Sequence, residues 1–432
     1  MIKIITSILF VTTIFGQAQE KDTILQFNNF TTTELQLGLT LPSNKGFPQT
    51  GLQKSISLHF GKHQINNNIE WIYRLKNPTT GMSFTITDYA NKEYLGYSAS
   101  MMPFIEFGML KKKIKGLNFN VSLGISYFTK SYTGTIFSLN NPIENNNTAI
   151  STKITWSFKS FLYYDFIRNR KNNWRIGVGY FHHSNGHTKF PNQGLNSFLF
   201  SVSRQSNYNL NSSITSKKQK TSISNTENSL QQFFTIRTGA GLNFLSYNFN
   251  DRKGVFTIAP SYGFIYNNTF KIGVGFFYRF YQHYYQYIKN NEEIVADHYT
   301  HFQNNPIKYS SCLGLFISGE LLLGNIGMEL DLGYNLYKPF YEVDWKINGF
   351  YWDFIDENGI VETRFVEKEL STYYQLKKAI LFRIGLKYYL INTVKYPKSN
   401  IFIGVNLNTN LGQADFTELS FGYVYRFGLK SR

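Results

Sequence analysis

The sequence predicts an all-β protein, a transmembrane antiparallel β-barrel of about 14 strands, with a range of about 12 to 16. Hydrophobicity alternates with a period of two along most of the chain. Aromatic residues make up 18% of the sequence although the mean hydropathy is only −0.28. Membrane barrels combine these properties because only alternate residues face lipid and aromatic girdles mark both interfaces.

The segment 326–337 shows the alternation most clearly. Ile326, Met328 and Leu330 share one face, whereas Glu329 and Asp331 share the other. Segments 117–127 and 380–390 follow the same pattern. Charge and glycine on the second face fit a polar barrel lumen, and an apolar first face fits lipid. A soluble sandwich would bury the apolar face and would rarely use such long aromatic-rich strands.

Candidate strands follow one another from residue 54 to residue 428, and residues 33–41 either add a strand or replace the first one. The predicted segments are 54–62, 95–109, 117–131, 152–166, 174–186, 195–204, 233–246, 255–266, 270–286, 309–322, 326–337, 379–391, 401–410 and 416–428. An even strand number puts both termini in the periplasm and makes connections after even strands short. Segment 205–232 is the exception, and it predicts a flexible periplasmic insert or an error in the strand count.

The N-terminus predicts export. Residues 1–18 combine Lys3, a short apolar run and a small-x-small cleavage site, as in a secretory signal peptide. Residues 19–53 are expected to form an N-terminal periplasmic segment with at most one strand, and residues 54–432 the outer-membrane barrel. After the signal peptide no apolar run is long enough for a membrane helix. The predicted location is the outer membrane of a Gram-negative bacterium.

The charge of the chain limits the classes of binding partner, and its cysteine content limits the covalent cross-links. The net charge of +17 favours an anionic partner, and for an exported chain anionic lipid head groups are better candidates than nucleic acid. The single cysteine, Cys312, excludes an internal disulfide framework. No cofactor is predicted, and the oligomeric state is left open.

Residues 179–200 carry the candidate site. On the strand 174–186, His182 and Ser184 share the apolar row that is expected to face lipid, and on the next strand Asn196 shares the corresponding row. A hairpin loop returns Asn196 to the vicinity of His182 and Ser184. Polar groups on a lipid-facing wall are costly and are therefore candidates for function.

The residue types fit acyl transfer. His182 and Ser184 resemble the base and nucleophile of a serine hydrolase, Asn196 can orient the imidazole, and Asn192 can donate to an oxyanion. Alternatively, these side chains contact only head groups and water. A metal site formed by His182, His183 and His187 is disfavoured because adjacent strand residues point to opposite faces.

Residues 182–197, "HHSNGHTKFPNQGLNS", resemble the motif of PagL-type lipid A 3-O-deacylases, and the C-terminal segment resembles barrels of the related acyloxyacyl hydrolases. The family is an eight-stranded outer-membrane barrel that hydrolyses an acyl ester of lipid A. The resemblance implies that His182 is the base and Ser184 the nucleophile. It also implies that Asn192 supplies the oxyanion hole and that Asn185 and Gly194 complete the turn.

This chain departs from the family pattern at two points. Asn196 stands where the family has an acid, and the chain is much longer than eight strands require. The resemblance implies an outer-membrane esterase that removes an acyl chain from lipid A or a related glycolipid, with lipopolysaccharide and outer-membrane lipids as partners. The alternatives are a non-enzymatic porin or channel and a barrel phospholipase.

Overall fold

The computed structural model describes residues 29–43, 47–65, 69–109, 113–132, 147–169, 171–208, 229–246, 249, 251–355 and 361–431. Within this part of the chain, sixteen antiparallel strands close into two barrels of eight, and two further strands form a separate hairpin. The all-β antiparallel barrel class is confirmed, and the strand number lies within the expected range. None of the helices in the described ranges is both long and apolar enough to cross a membrane.

The first barrel closes between its first and eighth strands. Its strands are β1 (Asn29–Leu41), β2 (Gln53–His63), β3 (Thr79–Asp88), β4 (Tyr97–Gly108), β5 (Leu117–Phe128), β6 (Ile154–Arg168), β7 (Asn172–Ser184) and β8 (Leu195–Tyr208). β1 pairs with β2 along one edge and with β8 along the other, in unbroken register from Asn29 opposite Tyr208 to Leu41 opposite Asn196. One short helix, α1 (Glu70–Arg74), lies between β2 and β3.

The second barrel closes in the same way between β9 and β18. Its strands are β9 (Ser229–Asn243), β10 (Lys253–Tyr266), β11 (Phe270–Tyr281), β12 (Ser311–Leu323), β13 (Ile326–Tyr337), β16 (Ile380–Tyr389), β17 (Ser399–Asn410) and β18 (Gln413–Ser431). Its connections contain the hairpin β14 (Phe350–Ile355) and β15 (Val361–Val366) and the helices α2 (Gln282–Lys289), α3 (Glu293–His298), α4 (Pro306–Tyr309), α5 (Tyr341–Ile347) and α6 (Thr372–Ala379). Short 3₁₀ helices span Thr300–Asn304 and Thr393–Lys395.

A single barrel over residues 54–432 was therefore the wrong expectation. Alternation identifies which residues form strands, but it does not determine which strand pairs with which. The sequence pattern therefore could not show that the first barrel closes at β8. Two barrel strands were also missed as firm elements, namely β1 within the segment 19–53 and β3 within a connection. Adding both leaves the direction of β7 unchanged, so its hairpin stays at the end predicted to face outward.

The two-barrel arrangement explains the exceptional segment 205–232. β8 ends at Tyr208 and β9 begins at Ser229, so the intervening residues join two closed sheets instead of two neighbouring strands. Residues 209–228, on which the predicted lack of order mainly falls, lie outside the described residues. The predicted signal peptide, residues 1–18, also lies outside them.

Both barrels are apolar outside and polar inside. On β1, Leu35 and Leu37 are 57% and 49% exposed, whereas their neighbours Glu34 and Gln36 are 0% and 1% exposed. The outer residues of β12 and β13, such as Leu332, repeat the pattern in the second barrel. A soluble protein buries its apolar face, so this polarity identifies walls that face lipid.

Each lumen is filled by charged and aromatic side chains. In the first barrel Glu34 accepts hydrogen bonds from Tyr163 Oη (2.8 Å) and Gln36 Nε2 (2.8 Å). In the second, Arg383 Nε donates to Glu418 at 2.9 Å. The space beside Glu34 in the first lumen and the space beside Glu329 in the second measure only about 10 Å³ each, roughly the room that one water needs. The polar rows are therefore packed interiors at these levels and not open channels.

The barrels contact each other near both ends. Near the end that carries the β7–β8 loop, Trp156 Nε1 donates to Thr417 Oγ1 at 3.1 Å, and Thr417 Oγ1 donates to the carbonyl of Gly186 at 3.1 Å. Near the opposite end, Tyr396 Oη donates to Glu70. The barrels thus stand side by side in the same direction, and the β7–β8 loop lies against the second barrel.

Candidate functional site

The candidate site lies where β7 ends and β8 begins. His182 and Asn196 stand directly opposite each other in the strand register. They continue the outer row of Val178 and Phe198, which are 46% and 56% exposed. Ser184 follows His182 on the same row and is 4% exposed, because the loop 185–194 folds over it. The row is accordingly lipid-facing along the strands and covered at the rim.

Asn196 holds the imidazole of His182. The Oδ1 atom of Asn196 lies 2.7 Å from His182 Nδ1 and also accepts a hydrogen bond from Tyr180 Oη at 2.6 Å. Because a carbonyl oxygen only accepts, Nδ1 carries the proton and Nε2 keeps its lone pair. The amide oxygen therefore selects the tautomer that a general base requires, which is the orienting role of the acid in a serine triad.

Ser184 is held by the loop and not by His182. Its Oγ atom exchanges hydrogen bonds with Asn192, at 3.1 Å to Nδ2 and 3.2 Å to Oδ1, and accepts one from the Gly186 backbone N–H at 3.2 Å. No hydrogen bond joins Ser184 to His182 among these described residues. In unliganded enzymes the contact between nucleophile and base is often long and forms only with substrate.

The loop owes its shape to Asn185. The Asn185 amide donates to Ser151 Oγ at 2.8 Å and to the Lys189 carbonyl at 2.7 Å, and its Oδ1 accepts from the His187 backbone N–H at 2.9 Å. At the other end, Gly194 has φ +77°, and a Cβ there would lie 2.8 Å from His182 Cε1. Glycine therefore leaves room for the imidazole and permits the backbone to turn.

The two other histidines of the motif point elsewhere. His183 lies in the lumen, where it contacts Ser157 Oγ at 2.9 Å and Tyr89 Oη at 3.2 Å. His187 Nε2 lies 3.1 Å from the carbonyl oxygen of Phe244 in the second barrel. Burial lowers the pKa of His187, which favours its neutral form. Over the described ranges, no group of three His, Cys, Asp or Glu side chains has the spacing of a metal site.

Three contributors to this arrangement were not predicted. Tyr180 shares the outer row with His182, so the row itself was the available signal. Gly186 acts through its backbone, which a residue pattern does not show. Thr417 lies 261 positions from its partner Trp156, and nothing in the local sequence indicates that they meet.

Comparison with known proteins supplies further findings. The solved structure of the outer membrane enzyme PagL is 16% identical, covers 40% of this chain and 97% of its own, and has a TM-score of 0.27. An outer-membrane channel from Pseudomonas putida F1 (8% identical, 96% of this chain, 100% of its own) and a mutant Rh. blastica porin (10%, 93% and 99%) each have a TM-score of 0.16. Scores this low do not establish a shared architecture. The search of curated proteins found no match.

The family comparison concerns the first barrel. The matched region begins within β2 and ends within β8, so it contains β7, the β7–β8 loop and most of β8, with His182, Ser184 and Asn196. The second barrel lies outside it. Residues 60–205 match the family described as Lipid A 3-O-deacylase (PagL), and the resemblance predicted from the sequence is thereby confirmed for this region.

Proposed function

We propose that the protein is an outer-membrane esterase that removes an ester-linked acyl chain from lipid A or a related glycolipid. The observation that carries the proposal is the hydrogen-bonded pair His182–Asn196 on a lipid-facing row, next to Ser184, within the region that matches the deacylase family. A substrate embedded in the membrane can reach this row without leaving the bilayer. The signal peptide predicted for residues 1–18 would export the chain.

In the proposed mechanism Ser184 is the nucleophile. Its hydroxyl turns from Asn192 towards His182, Nε2 takes the proton, and Oγ attacks the ester carbonyl carbon. The tetrahedral intermediate collapses, the sugar hydroxyl leaves with the proton from His182, and the acyl group stays on Ser184. Water, deprotonated by the same imidazole, then releases the fatty acid and restores the serine.

Two donors already aimed at Ser184 Oγ are candidates for the oxyanion hole. They are the Asn192 side-chain amide at 3.1 Å and the Gly186 backbone N–H at 3.2 Å. When the hydroxyl rotates towards His182, both donors become free to bind the negative oxygen of the intermediate. The hydrogen bond seen in the resting site would therefore be exchanged for one that exists only during reaction.

Asn196 would orient His182 without stabilising its charge. A carboxylate at this position does both, whereas a neutral amide only fixes the tautomer. Tyr180, which donates to the same oxygen, keeps the amide from rotating its nitrogen towards the imidazole. The proposed site thus has an oriented base but lacks a counter-charge for the imidazolium.

The decisive experiment is mass spectrometry of lipid A from cells that express the wild type, Ser184→Ala or the control Ser206→Ala. Ser206 lies near the opposite end of β8 from Asn196 and hydrogen-bonds to Asn172 at 3.1 Å. Wild type and control should release one acyl chain, and Ser184→Ala should release none. Phospholipid profiles from the same cells distinguish a phospholipase from a lipid A deacylase. Unchanged lipids in all three strains would refute the proposal.

A further inference from the structure

A cleft of about 650 Å³ lies between the site loop and the helical connections of the second barrel. The β7–β8 loop contributes Asn192 and Gln193 to its wall. The second barrel contributes α5 and α6 and the segment between β15 and α6. Asn192 also donates to Ser184, so one residue of the cleft wall contacts the candidate nucleophile.

The wall that the second barrel contributes combines aromatic rings with lysines. The rings of Trp345 and Tyr373 are 6.1 Å apart. Lys368 Nζ lies 5.1 Å from the Trp345 ring centre, and Lys377 Nζ lies 4.5 Å from that of Tyr373. Burial and the neighbouring charge of Lys377 lower the pKa of Lys368. An anion between the two ammonium groups would relieve their repulsion.

The acids that line the cleft are already engaged. Asp415 lies 3.3 Å from Lys338 Nζ. Asp344 accepts hydrogen bonds from Tyr284 Oη at 2.7 Å and Asn348 Nδ2 at 3.0 Å, and burial raises its pKa to about 6. Their charges therefore oppose an incoming anion only weakly, whereas their oxygens can still accept from hydroxyl groups.

These groups match one chemical class. Lysines pair with phosphate oxygens, flat aromatic rings pack against the apolar faces of sugar rings, and amides and carboxylates bind hydroxyls. We propose that this cleft binds the phosphorylated sugar head group of an acylated glycolipid, so that the second barrel recognises the substrate whose ester the first barrel cleaves. This inference rests on the proposed function, because it assigns the head group of that substrate.

Binding without turnover tests the inference directly. In the Ser184→Ala background, calorimetry in detergent measures binding of a deacylated phosphorylated glucosamine disaccharide. Adding Lys368→Gln and Lys377→Gln should weaken binding about tenfold or more, since each lysine loses a charge-assisted hydrogen bond. Lys308→Gln, on α4 and outside the cleft, is the control and should bind as its parent does.

A second variant covers misfolding. Lys377 is buried and donates to Gln413, so its replacement can disturb the packing of α6, whereas Lys368 is half-buried and lies against the Trp345 ring. Lys368→Gln alone should therefore fold and still weaken binding severalfold. Equal binding by this variant and its parent would overturn the inference. So would equal binding of the dephosphorylated disaccharide, or binding of inorganic phosphate as tight as that of the disaccharide.

Turnover separates this inference from the proposed function. With Ser184 intact, Lys368→Gln should raise KM for the phosphorylated glycolipid and leave hydrolysis of a nitrophenyl acyl ester unchanged. Lysine-dependent binding by a protein that hydrolyses neither ester would uphold the head-group site and refute the esterase. Glycolipid hydrolysis with an unchanged KM in Lys368→Gln would uphold the esterase and refute the head-group site.

Discussion

The two barrels share their strand number, their closure and their polar interiors, but they differ in the hairpin that joins their last two strands. In the first barrel, residues 185–194 make a folded loop over Ser184. In the second, β17 and β18 are joined by Leu411 and Gly412, and the outer row near the end of β17 contains Val405, Leu407 and Thr409. Ordinary barrel walls therefore have no need of a His–Ser–Asn set. Its presence in one hairpin is a local addition to a common scaffold.

The connections between strands differ as well, and here the second barrel is the more elaborate one. The second barrel has long connections after β11 and β13, with the helices α2–α6, whereas the described part of the first barrel has a single short helix at its other end. Of these helices, α5 and α6 form one side of the cleft beside the site loop. The comparison suggests a division of labour, with chemistry in the first barrel and recognition in the second.

The largest effect should come from His182. His182→Gln removes the proposed base, and the turnover of the acylated glycolipid should fall about a thousandfold, within the usual range for general-base loss. The matched control in the second barrel is Leu407→Gln, which puts the same side chain on an outer row near the rim and should leave turnover unchanged. Comparable loss in both variants would mean that the assay reports barrel integrity, not chemistry.

The next largest effect concerns stability, because a substitution in the polar interior of the second barrel should lower the free energy of unfolding more than one in the first. Arg383 forms ion pairs with Glu418, Glu329 and Asp331. Arg383→Met takes the ion-pair partner from buried Glu418 and removes one of several cations from the other two carboxylates, so it should cost about 3–5 kcal/mol. Lys159 lies 3.9 Å from Glu34 and makes no hydrogen bond within the described structure, so Lys159→Met should cost only about 1 kcal/mol. Urea unfolding in lipid vesicles measures both. Equal costs would show that contact geometry does not set the stability of these interiors.

Asn196 should give an intermediate effect on activity. Asn196→Ala frees the imidazole, and turnover should fall about 10- to 100-fold while the barrel stays folded. Asn196→Asp should restore or raise turnover, because a carboxylate orients the ring and also stabilises the imidazolium. Full activity in Asn196→Ala would assign the orienting role to another group. Turnover in Asn196→Asp together with an inert wild type would identify a barrel that has lost its catalytic acid.

Local patterning predicted what depends on neighbouring residues. The alternation located most barrel strands, and the shared row of His182, Ser184 and Asn196 put them at one rim. β3 was missed because few apolar residues mark its outer row, with Phe84 and Ile86 the clearest. Closure after β8 was missed because pairing partners have no local signature. The position of Ser184 Oγ could not be predicted from the sequence either, since it depends on whether the side-chain rotamer directs the hydroxyl towards Asn192 or towards His182.

The smallest expected effect concerns the contact that joins the two barrels at the site. Thr417 Oγ1 accepts from Trp156 Nε1 and donates to the Gly186 carbonyl, and the Gly186 N–H in turn donates to Ser184 Oγ. Thr417→Val keeps the shape of the side chain but removes both bonds, each of which contributes about 1 kcal/mol. Turnover should fall severalfold because Gly186, a proposed oxyanion donor, loses its anchor, whereas Thr417→Ser should behave as the wild type. Trp156→Phe removes only one of the two bonds and should give a smaller loss. If Thr417→Val retains full turnover, the second barrel does not position the reacting groups, and its contribution is confined to the head-group cleft.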